Sequence, residues 1–312
     1  MPGNVLPLTV PTSAASFFII AGPTAVGKSA LAVAIAERCG GEIVSADAFQ
    51  VYQGLDLLTA KPSAELRARV PHHLIGEIPL AQSFDVAQFL RLAEARIHEI
   101  RQRHRVPIIV GGTGLYLRAL THGLADLPGS DATLRARLET QSDDELCRQL
   151  AELDPAGHAQ IDRKNRRRVI RALEVCLLTQ CPFSSFREQW EKTSVMADGV
   201  VLIRDRLELH ERINRRTEAM FAAGVEEEIR HTENPGPTAS QTLGWMEIRA
   251  LLDGKMSRRD CIAAIQLATR RYAKRQMTWF RREPHLQPTP LHSETDLTVL
   301  AESLAQRALG KP

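Results

Sequence analysis

The segment Gly22-Pro23-Thr24-Ala25-Val26-Gly27-Lys28-Ser29 fits the pattern G-x-x-x-x-G-K-[ST] in full. An apolar run, Phe17 to Ala21 (FFIIA), stands before it, and a helix is expected over Lys28 to Cys39. Strand, glycine loop and helix in that order are the context in which this motif binds phosphate. Its glycines let the backbone curl so that several N–H groups point at one anion. The helix N-terminus adds a favourable dipole, and Lys28 adds a full charge. Ser29 is placed to reach a magnesium ion held by the same phosphates. Alone, the motif would suggest ATP. It specifies a di- or triphosphate and leaves open whose phosphate that is.

Further strand-like runs, Glu42 to Ala46 (EIVSA), Val106 to Val110 (VPIIV) and Gly199 to Ile203 (GVVLI), frame the rest of the chain. Between the first two, Ser83 is expected to cap a long amphipathic helix running to about Arg103. Strands alternating with helices indicate an α/β fold with a parallel sheet covered by helices. Across 128–198 the alternation stops and helical periodicity takes over, at Asp131 to Glu139, Asp143 to Leu153 and Lys164 to Leu178. An all-helical insertion accounts for this, which leaves 17–127 and 199–312 as the core, with helices filling its C-terminal part. Residues 1–16 have neither a basic stretch nor a long apolar segment and read as a flexible tail, not a signal peptide. No apolar run is long enough to span a bilayer. The five cysteines are scattered without a CxxC pair, as expected of thiols in a reducing cytoplasm.

Ligands in such a sheet gather at the carboxyl ends of strands. Asp47, closing the second strand, should therefore face the same crevice as the phosphate loop. As a residue type it suits a general base, a magnesium ligand, or an N-cap or Asx-turn, and its spacing does not choose among them. Thr113, within Gly111-Gly112-Thr113-Gly114, reaches the same edge. The glycines there permit close backbone approach to a ligand, or else Thr113 simply caps the next helix.

Net charge is only +3, yet the cations are unevenly placed. Arg163 to Arg171 (RKNRRRVIR) holds six in nine positions, and Ala268 to Arg282 (ATRRYAKRQMTWFRR) holds six in fifteen. In the second segment Arg271, Lys274, Arg275, Thr278 and Arg282 share one helical face, with Tyr272, Gln276 and Trp279 on another side. Cations interleaved with aromatic rings suit nucleic acid, where charges meet phosphates and rings stack on unpaired bases. A solvated helix with core aromatics is the plain alternative for that segment taken alone.

In order along the chain, GPTAVGKSALA, SADAFQVYQGLDLLTAKP, PHHLI, VGGTGLYLRAL, RRRVIRALEV, RINRRTEAMFAAGVEEEI and TRRYAKRQMTWFRR resemble segments of the bacterial-type tRNA dimethylallyltransferase family. The resemblance implies a P-loop NTPase-like core with a helical insertion that binds the tRNA anticodon stem-loop. It also implies transfer of a dimethylallyl group from dimethylallyl diphosphate to N6 of the adenine 3' to the anticodon (position 37). The expected tRNAs read codons beginning with U, and the products are N6-(dimethylallyl)adenosine and diphosphate.

On this reading Gly22 to Ser29 hold the donor diphosphate with Mg2+ on Ser29. Asp47 is the base, and Thr113 and Arg216 contact the pyrophosphate. The segments that match tRNA contacts contain Asp47, Ala48, Phe49, Gln50, Thr113, Arg135, Arg167, Arg168 and Arg171. Further along they contain Thr242, Leu243, Gly244, Trp245, Lys274, Arg275, Gln276, Thr278, Trp279 and Arg281. The resemblance suggests a monomer. The sequence departs from the family pattern at Ala48 (usually serine), Leu58 (glycine), Gly76 (aspartate), Gln180-Cys181-Pro182 (Gly-Lys-Pro) and Trp245 (tyrosine). Two other readings stay open: a P-loop kinase for a small metabolite, and a tRNA-binding relative with weakened catalysis.

Overall fold

Residues 17–125, 127–190 and 197–310 are described by the structure, a computed structural model. The tail expected at 1–16 lies outside the described residues, as do 191–196 of the expected insertion. The chain divides into two compact units, one within Met1–Leu120 and Val195–Pro312, the other within Thr121–Ser194.

The first unit begins with β1 (Phe18–Ala21), α1 (Lys28–Cys39), β2 (Gly41–Ala46), α2 (Ala64–Arg69), β3 (His72–His73), α3 (Val86–Gln102), β4 (Val106–Gly111) and α4 (Gly114–His122), whose last turn enters the second unit. Strands β1, β2 and β4 are almost wholly buried, with Ile19, Ile20, Ile108 and Ile109 at 0% exposure. Each such side chain stabilises the fold by roughly 1.5–3 kcal/mol. Helix α3 is capped by Asp85 rather than the expected Ser83. Asp85 has Gln88 three residues on to complete a reciprocal capping box, whereas Ser83 has Val86 at that distance and no side-chain partner there.

The second unit holds α5 (Ala132–Glu139), α6 (Asp143–Leu153), α7 (Pro155–Gln160), α8 (Arg166–Thr179) and α9 (Phe183–Trp190), with no strand among its described residues. Asp131, Ser142, Asp154 and Asn165 cap four of these helices through their side chains. Each cap contributes about 1 kcal/mol. Leu138, Leu146, Leu150, Val169, Ile170, Leu173 and Cys176 form the unit's own core. Its span, Thr121–Ser194, differs from the expected 128–198. Asp198 at the end of the expected stretch is already strand, paired with Phe18.

The chain then completes the first unit with β5 (Asp198–Ile203), α10 (Arg206–Ala222), α11 (Val225–Arg230), α12 (Trp245–Leu252), α13 (Arg258–Phe280), β6 (Gln287–Pro290) and α14 (Leu297–Ala308). Six parallel strands run in the order β3-β2-β4-β1-β5-β6. The expected parallel α/β sheet is therefore present, with an added strand at each edge. Neither β3, two residues long, nor β6, which contains Pro288 and Pro290, resembles an interior strand. Proline is tolerated there because an edge strand leaves one row of backbone groups unpaired.

The register explains how three distant segments meet. Ala21 and Ala46 both pair with Gly111, so Gly22, Asp47 and Gly112 leave the same edge of adjacent strands. The chain returns to opposite sides of β1, which opens the crevice typical of such a switch point. No helix among the described residues is long and apolar enough to cross a membrane.

Candidate active site

The phosphate loop curls between β1 and α1 as its glycines dictate. Gly27, the N-cap of α1, has φ of 116°, a region that side-chain-bearing residues rarely adopt. Ala25 is also left-handed, at φ 64°. Four cations close around the loop. Lys28 Nζ donates to the carbonyls of Gly22 (2.9 Å) and Pro23 (2.8 Å). Burial lowers its pKa to about 8, with Asp47 opposing that shift and Arg216 adding to it. Arg216 donates to Thr24 Oγ1 at 2.7 Å, and Arg212 Nε donates to the Ala25 carbonyl at 2.8 Å. Arg204 donates to the Val26 carbonyl and pairs with Glu208.

Asp47 Oδ1 accepts from the backbone N–H groups of Phe49 (2.9 Å) and Gln50 (3.2 Å). The Asx-turn reading of this residue is thus realised, and it fixes the carboxylate without consuming Oδ2. Thr113 Oγ1 accepts from the Ala48 N–H at 3.1 Å, tying the β4 edge to the Asp47 turn. Tyr272 lies beside Thr113 and Gln276, and burial followed by the Asp47 charge pushes its hydroxyl up, keeping it neutral.

Two cavities meet here. One, open and of about 980 Å³, is lined by Lys28, Ser29, Lys61, Arg212 and Arg216, with Asp47 as its single acid. The other, of about 540 Å³, mixes apolar Phe49, Leu58, Met220, Leu243 and Ile265 with Tyr272, Thr217, Thr242 and Thr269. Thr24, Asp47, Thr59 and Arg216 line both. Among the oxygen donors of the charged cavity, the hydroxyl of Ser29 follows Lys28 at the start of α1, and Asp47 supplies the single carboxylate. A hydroxyl and a carboxylate are oxygen donors of the kind that fit magnesium, which takes its other ligands from substrate phosphates and water.

The remaining expected residues divide by exposure. On α13, Lys274, Arg275 and Thr278 are exposed, as is Arg281 beyond its end. Arg275 lies over the Tyr272 ring at 5.7 Å. Gln276 is buried: its Oε1 accepts from Thr24 N at 2.9 Å and its Nε2 donates to the Gly112 carbonyl at 2.8 Å. A side chain at Gly112 would collide with it. Trp279 packs over Gly114 in the same way. Thr242 and Trp245 are buried, Gly244 caps α12, and Leu243 faces the second cavity. On the helical unit Arg167 and Arg168 are exposed, whereas Arg135 and Arg171 both bond to Glu174. Arg212, Arg204 and Glu228, which accepts from Leu57 and Leu58 N–H, escaped the sequence reading. Arg212 and Glu228 do stand within the resembling segment RINRRTEAMFAAGVEEEI, and Arg212 is spaced i,i+4 from Arg216.

The sequence model of the IPP transferase family matches residues 50–283. A tRNA dimethylallyltransferase of Geobacter sulfurreducens is 46% identical over 85% of this chain and 89% of its own. One from Akkermansia muciniphila is 42% identical over 92% and 97%. The chain belongs to the IPP transferase family. Its fold agrees with the crystal structure of a Bacillus halodurans tRNA isopentenylpyrophosphate transferase (TM-score 0.68, 34% identity, 95% of this chain and 97% of that one). It agrees also with a eukaryotic dimethylallyltransferase captured acting on tRNA (TM-score 0.78, 27% identity, 95% and 80%).

Within this IPP transferase the departures from the common pattern are accommodated locally. Leu58, at 5% exposure, joins the core and walls the second cavity, and Trp245 is buried to the same degree. Gln180 takes the left-handed C-cap of α8 at φ 60°, a conformation for which glycine is favoured. Gly76 is itself left-handed, at φ 64°.

Proposed function

We propose that this IPP transferase moves a dimethylallyl group from dimethylallyl diphosphate to N6 of the adenine 3' to the anticodon, position 37, in tRNAs reading codons that begin with U. The observation that carries this reading is the junction, at Asp47 and Arg216, of a cation-lined cavity with a second one that places Phe49, Leu58, Met220, Leu243 and Ile265 beside threonines. A diphosphate ester with a short apolar tail has those two chemistries in one molecule. The names of the curated relatives, tRNA dimethylallyltransferases at 42–46% identity, support the same assignment.

In the proposed reaction the adenine amine attacks the allylic carbon, the carbon–oxygen bond to diphosphate breaks, and Asp47 accepts the amine proton. Lys28, Arg216 and the loop N–H groups stabilise the charge gathering on the leaving diphosphate. Thr113 holds the Asp47 turn through Ala48. When bound by Ser29 and the diphosphate oxygens, magnesium would neutralise part of that charge. Holding a large RNA and a small donor face to face supplies the positioning that this chemistry needs. The target adenine must leave the folded loop to reach Asp47. Arg167, Arg168, Lys274, Arg275 and Arg281 are exposed and suited to the tRNA backbone. The protein acts as a cytoplasmic monomer in this proposal, and the loop holds a prenyl diphosphate in place of ATP.

The test is direct. Purified protein, magnesium, labelled dimethylallyl diphosphate and unmodified tRNA are incubated, and the digested nucleosides are analysed. Prenylated adenosine is the expected product. Its absence while tRNA still binds would overturn the enzymatic reading, and phosphate transfer from ATP to a metabolite would replace it with a kinase.

A further inference from the structure

We infer that Arg212 is a second arginine clamp on the donor, gripping the phosphate remote from the reacting carbon while Arg216 serves the near one. This rests on the diphosphate reading of the charged cavity. Arg212 and Arg216 are one turn apart on α10 and therefore share a face, about 6 Å apart along the axis. Arg216 lines both cavities and so stands at the junction with Asp47. Arg212 lines the charged cavity alone.

Where Arg212 sits is electrostatically awkward without an anion. A Cβ added to Gly27 would lie 3.9 Å from Arg212 Nη2. Gly27 is the N-cap of α1, so this guanidinium sits beside the positive end of a helix dipole. Arg204 Nη2 would lie 3.8 Å from the same point. The acid whose charge acts on Arg212, Glu208, is already ion-paired with Arg204. Among the described residues Arg212 itself has no ion-pair partner, and its one hydrogen bond, from Nε to Ala25, leaves both Nη groups uncommitted. Burial, followed by the Arg204 charge, lowers its pKa, as expected of a cation waiting for a counter-charge. A doubly charged terminal phosphate at the start of α1 resolves all of this at once. An arginine fork also matches two phosphate oxygens in a way lysine does not.

The competing role is mechanical: the bond to Ala25 steadies a left-handed alanine in the loop. Two variants of the full-length protein separate the roles, with inorganic diphosphate and inorganic phosphate titrated calorimetrically against each. Arg212→Gln retains a donor for the Ala25 carbonyl and discards the charge. Its Kd for diphosphate should rise about tenfold or more, with the Kd for inorganic phosphate within about twofold of wild type. Arg212→Lys retains charge and should recover part of the lost diphosphate affinity. Equal weakening of both ligands would mean a damaged loop and overturn the inference. So would wild-type diphosphate affinity in Arg212→Gln. If the wild-type protein binds neither anion, the diphosphate reading of the cavity fails first and takes this inference with it.

Discussion

Around the phosphate loop, Lys28, Arg212 and Arg216 bond only to carbonyls and a hydroxyl. In the helical unit Arg135, Arg166 and Arg171 bring their own acids. Arg135 and Arg171 converge on Oε2 of Glu174 at 2.9 and 2.7 Å, and Arg166 pairs with Asp143. Glu174 is fully buried: burial would raise its pKa, but bonds from Arg171, Asp131 N–H and Arg135 outweigh that and hold it below the usual range. Both regions are rich in cations. What separates Lys28, Arg212 and Arg216 from Arg135, Arg166 and Arg171 is the supply of carboxylates, since Glu208 at the loop is taken by Arg204. Cations with local acids hold a fold together, and cations without them await an anion.

The largest expected effect concerns the one acid that faces the unpaired cations. Asp47→Ala should slow single-turnover transfer by about 10²–10⁴-fold, the usual worth of a positioned general base. Diphosphate affinity should hold or improve, since the variant removes a negative charge beside Lys28 and Arg216. Normal turnover would dismiss Asp47 as the base. A parallel fall in diphosphate affinity would break the comparison itself.

Glu174→Gln tests the other region. Losing one partner of a buried pair costs about 3–5 kcal/mol, but Arg135 and Arg171 are about a third exposed and can turn to water, so about 2 kcal/mol is expected. Urea unfolding at neutral pH measures it. Because the folded-state pKa of Glu174 is depressed, its contribution is present above its ordinary value of 4.5 and disappears as pH falls through the lower folded value. The variant should therefore lose less stability than wild type on acidification. Equal acid sensitivity would show that Glu174 is not what ties these arginines down.

Much of this contrast was hidden in the sequence for a physical reason. The loop, Asp47 and Thr113 are legible because a short motif or a strand end fixes each one. The second strand and the helix over Lys28 to Cys39 follow from local periodicity. Gln276 is different: its bond to Thr24 N–H spans 252 residues, and no local pattern encodes it. Charge clustering pointed at Arg163 to Arg171 yet did not reveal that Arg171 is tied to Glu174, three residues on. Arg212 stands with Arg215 and Arg216 in RINRR, and its importance comes from which acids are missing around it in space. The edge strands were illegible because edge pairing places few demands on the residues that make it.

A smaller effect should appear in the pH dependence of diphosphate binding. Lys28 in the free protein loses its proton as pH rises through about 8, and an anion favours the charged form. Binding above that pH must take up a proton, so the Kd should rise by up to about tenfold per pH unit beyond it. In Lys28→Arg the charge persists and this slope should vanish. A pH-independent wild type would mean that Lys28 is not part of the anion's grip.

The smallest expected effect falls on the helical unit's exposed arginines, where the two regions come closest in character. Arg167 is exposed and has no ion pair among the described residues, like the cations at the phosphate loop, but water surrounds it. Solvation removes the electrostatic penalty that makes Arg212 seek an anion, so Arg167 should contribute only through counterion release from an RNA backbone. Arg167→Ala should weaken tRNA binding a few-fold and reduce the slope of log affinity against log salt by about one. Its melting temperature should match wild type, whereas Arg171→Ala, which strips a bond from Glu174, should melt earlier. Were Arg167→Ala to melt early with its salt slope intact, exposure and the absence of an acid would no longer mark a cation as free for ligand, and the contrast between the two regions would rest on the loop alone.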